Sequence, residues 1–173
     1  MRTPLVLCCV TLLTTSVLAQ QQSRDGQTVT VGPWVIATTY KTEKFENCTM
    51  TRSSGELGIT FVRAQDGLLV LLESPKWKLE RGKLYSIRLV AGSQSLEAKA
   101  VAEPKSVTVP LPDRSFNAAL RSANLLQVRG EGATLHVPLD GSSAALDRLD
   151  TCYEKNVRET AETNPFVAPS RKP

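Results

Sequence analysis

The sequence predicts an all-β fold: a β-sandwich or flattened barrel of seven to eight mainly antiparallel strands, with one short internal helix and a C-terminal helix. Three observations carry that prediction. From Thr28 onward the chain is a series of short alternating or β-branched runs, each ended by glycine, proline or charged turn residues. Asp66-Gly67 lies between two such runs, and Asp-Gly is a strong hairpin signal. Only two stretches place apolar residues at helical spacing.

Residues 34–40 put Trp34, Ile36, Thr38 and Tyr40 on one face. Residues 47–52 follow the charged turn Lys41-Thr42-Glu43-Lys44 as the neighbouring strand. Residues 56–64, with Leu57, Ile59 and Phe61 on one side, pair with 68–73 across Gln65-Asp66-Gly67. Residues 84–90 and 96–102 flank Ala91-Gly92-Ser93, with Tyr85, Ile87 and Leu89 toward the core. Another hairpin joins 125–129 to 134–138 through Gly130-Glu131-Gly132, where glycine at both ends permits a tight reversal. Ser115 is the expected N-cap of a two-turn helix that pairs Phe116 with Leu120 at i, i+4. After Gly141, Ser142 or Ser143 is expected to cap the last helix, which carries Ala145, Leu146, Leu149, Cys152 and Tyr153 and runs to about Asn156.

The ends of the chain speak to compartment. Residues 1–19 have the form of a secretory signal peptide: Arg2 gives the positive start, the uncharged run from Leu5 to Leu18 is too short to span a bilayer, and Val17 and Ala19 fit a cleavage site. Cleavage leaves about 154 of the 173 residues, enough for one domain with its own core. Residues 20–27 read as a disordered lead-in, 28–157 as the single β-rich domain, and the proline-bearing stretch 158–173 as a flexible tail. No transmembrane segment is expected after cleavage. A periplasmic or secreted location lets Cys48 and Cys152, the cysteines left after cleavage, form a disulfide that fastens the last helix to the sheet.

The charge of +4 is too mild and too dispersed for a nucleic-acid footprint. Among candidate chemistries, a redox pair lacks Cys-x-x-Cys, and a zinc site or serine triad has only His136 to draw on. No cofactor or metal is expected. Asp140, Asp147 and Asp150 gather around the last helix, where a solvated surface explains them better than a glycosidase pair. The tripeptide Asn47-Cys48-Thr49 matches a glycosylation acceptor, an incidental match in a strand. One basic stretch contains an aromatic: Lys76, Trp77, Lys78, Arg81 and Lys83 can dock an anionic group with cation–π help. The competing reading, favoured by alternation, is that Trp77 and Leu79 tuck inward and the cations stay solvated.

The order of segments resembles the invasion-associated locus B family of exported proteobacterial proteins. The residues that carry the likeness are Trp34 in an early strand, Cys48-Thr49-Met50, Leu71-Leu72-Glu73-Ser74-Pro75 with Lys78-Leu79-Glu80-Arg81-Gly82-Lys83, Phe116-Asn117-Ala118-Ala119-Leu120, and Leu139-Asp140-Gly141-Ser142-Ser143-Ala144-Ala145-Leu146. Adjacent cysteines expected near residues 102–111 are absent, so no role that depends on them carries over. The resemblance implies a periplasmic or secreted β-sandwich, in some members linked to host-cell invasion, with no established catalysis and no assigned binding residues. Together these readings give a non-enzymatic exported domain whose partner is an envelope protein or an anionic cell-surface component. The alternatives are a periplasmic protease inhibitor, which calls for a long exposed loop such as residues 74–83, and a carboxylate-dependent hydrolase.

Overall fold

The computed structural model describes residues 28–162. The residues expected to form the signal peptide and the lead-in, and those of the expected tail from residue 163 onward, lie outside the described residues. Ten strands and two helices follow in the order β1 Val29–Val31, β2 Trp34–Lys41, β3 Lys44–Ser54, β4 Leu57–Ala64, β5 Gly67–Glu73, β6 Leu84–Ala91, β7 Gln94–Glu103, β8 Ser106–Pro110, α1 Arg114–Ser122, β9 Leu125–Arg129, β10 Thr134–Pro138 and α2 Ser142–Glu162. The all-β class is as predicted, with ten strands instead of seven to eight.

All ten strands belong to one antiparallel ladder, ordered β1-β2-β3-β4-β5-β8-β7-β6-β9-β10. The predicted hairpins all form. Ala64 pairs with Gly67 across Gln65-Asp66, Ala91 with Gln94 across Gly92-Ser93, and Arg129 with Thr134 across residues 130–133. The additional strands β1 and β8 are three and five residues long, and Pro110 closes β8.

Alternation along each strand sends one row inward, where a single cluster joins Trp34, Met50, Phe61, Leu72, Leu89 and Val128 with Phe116 of α1 and Leu149 of α2. One core shared by strands from both halves of the ladder requires the sheet to curl around it. The Trp34 ring meets Phe61 edge-on at 5.9 Å between centroids.

The helices cover part of the inner face. α1 begins at Asp113, whose side chain accepts the Phe116 N–H, so the cap stands two residues before the expected Ser115. The Ser115 hydroxyl instead donates to Asp113 Oδ1. At the head of α2, Gly141 adopts φ +71° and Ser142 is already helical. The Ser142 hydroxyl does not cap its own helix: it is buried and donates to the Leu120 carbonyl at 2.8 Å, tying the start of α2 to the end of α1. Arg121 of α1 reinforces that junction by pairing with Asp147 and Asp150 of α2. α2 continues to Glu162, beyond the expected end near Asn156 and into the stretch expected to be tail. Its last turns are supported on the exposed side by the Lys155–Glu159 and Arg158–Glu154 pairs.

Two fastenings hold α2 and its leading turn to the sheet. Cys48 of β3, fully buried, is bonded to half-buried Cys152, with 6.2 Å between Cα atoms. Near the other end of β3, Arg52 lies 5.1 Å from the centre of the Trp34 ring and donates to the Pro138 carbonyl and, at 2.7 Å, to the Asp140 carboxylate. The Trp34 indole N–H donates to the Asp140 carbonyl at 2.9 Å. The ladder's early strands are thereby joined to its last one. The hydrogen bond from Arg52 holds the Asp140 carboxyl below its ordinary value of 3.8.

Replacing both Cys48 and Cys152 by alanine removes a link across a separation of 104 residues. The expected loss is about 4 to 5 kcal/mol in the chain-entropy picture, read from urea unfolding. A loss under about 1 kcal/mol would show that the bond fixes nothing the core does not already hold. Because the Asp140 carboxyl is depressed in the folded state, its contribution is fully present above pH 3.8 and is lost as pH falls through the folded value. Asp140→Asn should therefore be less stable than the parent at neutral pH, with the gap closing in strong acid. Parallel stability curves for the two proteins across that range would refute the linkage.

Candidate functional site

The connection between β5 and β6, residues 74–83, holds the aromatic basic stretch. Backbone bonds fix it against the β7–β8 turn: Ser74 N–H donates to the Lys105 carbonyl at 2.9 Å, Leu79 N–H to Pro104 at 3.1 Å and Gly82 N–H to Ala102 at 2.7 Å. Lys105 also donates to the Pro75 carbonyl. The segment is zipped along the sheet and does not project as the long loop that an inhibitor reading calls for.

Trp77 and Leu79 are half-buried, and Trp77 packs against the core cluster. The cations of the stretch remain exposed, and three of the four are paired: Lys76 with Glu56, Arg81 with Glu103, and Lys83 with Glu80 at 3.5 Å. Lys83 also lies 5.5 Å from the Tyr85 ring centre. Lys78 has no carboxylate partner among the described residues. The five residues are thus brought to one segment, but as a row of compensated surface charges beside an inward-turned tryptophan. Glu56 and Glu103 are distant in sequence from the cations they neutralise.

The more prominent feature is one that periodicity did not reveal. Trp77 and Leu79 form one wall of an open groove of about 570 Å³, whose floor is made by Tyr85, Ile87, Val128 and Leu135. Its far wall is the loop of residues 130–133 between β9 and β10. The floor residues are members of the inward row, so the groove is an opening into the side of the core. Its volume falls in the usual range for small-molecule sites, about 300 to 1,000 Å³.

The opening has a simple origin in strand register. β6 pairs with β9 only from Arg88 to Ala91, and Arg88 stands opposite Arg129, the last residue of β9. Beyond that pair β9 turns away at Gly130, so the first half of β6 has no strand on that side among the described residues. No residue of either helix lines the groove.

Other candidate chemistry resolves into structural contacts. Asp140 is bound to Arg52, Asp147 to Arg121, and Asp150 to both Arg121 and Arg63. His136 is exposed on edge strand β10, opposite Gln127. Asn47 pairs with Thr39 within the ladder, and its amide oxygen is buried without a partner among the described residues. Among the described residues, no group of three or more histidine, cysteine, aspartate or glutamate side chains could hold a metal ion, and no helix is long and apolar enough to cross a membrane.

No protein-family model and no curated protein matches the chain. Among solved structures, invasion-associated protein B from Bartonella henselae superimposes with a TM-score of 0.51 and 25% identity, over 72% of this chain and 95% of that one. The chain is therefore similar to invasion-associated protein B in both fold and sequence, the relationship that the order of its segments predicted.

Proposed function

We propose that this protein is an exported, non-enzymatic binding domain, periplasmic or secreted, that engages an envelope protein or an anionic cell-surface component through the groove walled by Trp77. The observation that carries this reading is the groove itself. A small β domain that leaves part of its inward row open, between a fixed segment and a short loop, exposes apolar surface that is best explained by a ligand or partner. Of the cations of the stretch Lys83 lines the groove, while Lys76, Lys78 and Arg81 lie on the same segment outside its lining; with Lys76, Arg81 and Lys83 compensated, these charges contribute orientation more than affinity.

Export is supported by the Cys48–Cys152 bond, which persists in oxidising compartments, and by the likeness to an invasion-associated protein. A non-enzymatic role is supported by the arginine-bound carboxylates: a general acid needs its pKa raised, whereas Asp140 has its own lowered.

Two measurements test the proposal. The intact mass of protein recovered from outside the cytosol should correspond to a chain beginning at about Gln20, and recovery of the unprocessed chain from the cytosol alone would defeat the export reading. Immobilised protein should retain a component of envelope extract, with retention falling at least roughly tenfold for the Trp77→Ala, Leu79→Ser double variant. Equal retention by parent and variant would remove the groove as the binding site.

A further inference from the structure

We infer that the groove accepts a single-chain anionic amphiphile, its alkyl tail lying on the inward row and its acidic head reaching Arg129 and Arg88 through the gap between β6 and β9. This rests on the groove being the binding site and names its ligand class.

The argument begins at the last β6–β9 pair. Arg88 and Arg129 stand directly opposite each other in the ladder, and like charges in that position repel. On its other side Arg88 is compensated by Glu97 of β7. Arg129 has no carboxylate partner among the described residues, and its guanidinium rests only on the amide oxygen of Gln127, at 2.7 and 3.1 Å. An uncompensated arginine beside a second one is a site for a carboxylate or phosphate, which a guanidinium binds with two parallel hydrogen bonds.

That site communicates with the apolar groove. The shallow depression around Arg88, Glu97 and Arg129 on the outer side shares Ser86, Ile87, Gly130 and Glu131 with the groove on the inner side. Ser86 and Ile87 point to opposite faces of β6 and border both spaces, so the two adjoin at the edge of β6 that β9 leaves unpaired. An apolar groove inside, a gap, and a cation without a carboxylate partner outside together match an alkyl chain with an acidic end. Leu84, 60% exposed near the same gap, extends the apolar surface outward. Two carboxylates border this path: Glu97 is held by Arg88, and Glu131, which lines both spaces, works against an anionic head.

The charges predict opposite effects for two single substitutions at exposed positions, neither of which disturbs the core. Equilibrium dialysis of the purified protein with dodecanoate and dodecyl phosphate, each below its micelle concentration, and with dodecanol below its solubility limit, reads the ligand class directly. Dodecanoate or dodecyl phosphate should bind at a single site and at least roughly tenfold more tightly than dodecanol. Arg129→Gln should weaken the anionic probe about tenfold, and Glu131→Gln should strengthen it, with dodecanol unchanged by either. Preference for dodecanoate identifies a fatty-acid source for the head group, and preference for dodecyl phosphate a lysophospholipid-like one. Dodecanol binding as tightly as the anions, or anionic binding indifferent to Arg129→Gln, would overturn the inference. If no probe binds while the Trp77→Ala, Leu79→Ser protein still loses its envelope component, the amphiphile is refuted and the groove stands as a surface for a macromolecular partner.

Discussion

The constraint that organises this molecule is the mismatch between one long ladder and the little that is available to cover it. Ten strands in a single sheet present a continuous inward row, and among the described residues two helices bury it. The sheet answers by curling so that strands from its two halves share one core, with α2 against β2, β3 and β4 and α1 against β6 and β7. The Cys48–Cys152 bond and the Arg52–Asp140 contact hold that arrangement at two points along β3. Where neither helix reaches, the inward row is roofed only in part, by a connecting segment that carries Trp77. The groove is thus a product of the same shortage of cover that shapes the fold.

Much of the local structure was legible because it depends on neighbours in sequence. Asp66-Gly67, Gly92-Ser93 and the paired glycines at 130 and 132 mark reversals whose chemistry is contained within a few residues. The inward row of β6 followed from simple alternation. Misplaced features depend on finer competition. Asp113 and Ser115 can each cap α1, and the carboxylate stands where it accepts both the Ser115 hydroxyl and the Phe116 N–H, which lower its pKa in that order. Strand β8 went unread because it is five residues long and bracketed by Pro104 and Pro110, with Pro110 in its last position.

The candidate site was legible only in fragments. Trp77 and Leu79 alternate in a way that turns both inward, and they do so, but the space they border arises from the parting of β6 and β9, strands more than thirty residues apart. The basic stretch looked like a charged patch because Glu56 and Glu103, which compensate Lys76 and Arg81, come from other turns of the fold. Arg129 drew no notice as a single cation at the end of a strand. Its significance lies in its cross-strand neighbour, which register alone reveals.

The bond between Cys48 and Cys152 also closes a covalent ring that contains β4 through β10, α1 and most of β3. A hydrolytic cut anywhere inside that ring, including the loop of residues 130–133, leaves both fragments tethered through sulfur. Such a nicked molecule keeps all its strands in one covalent unit, so that a single cut there releases no fragment.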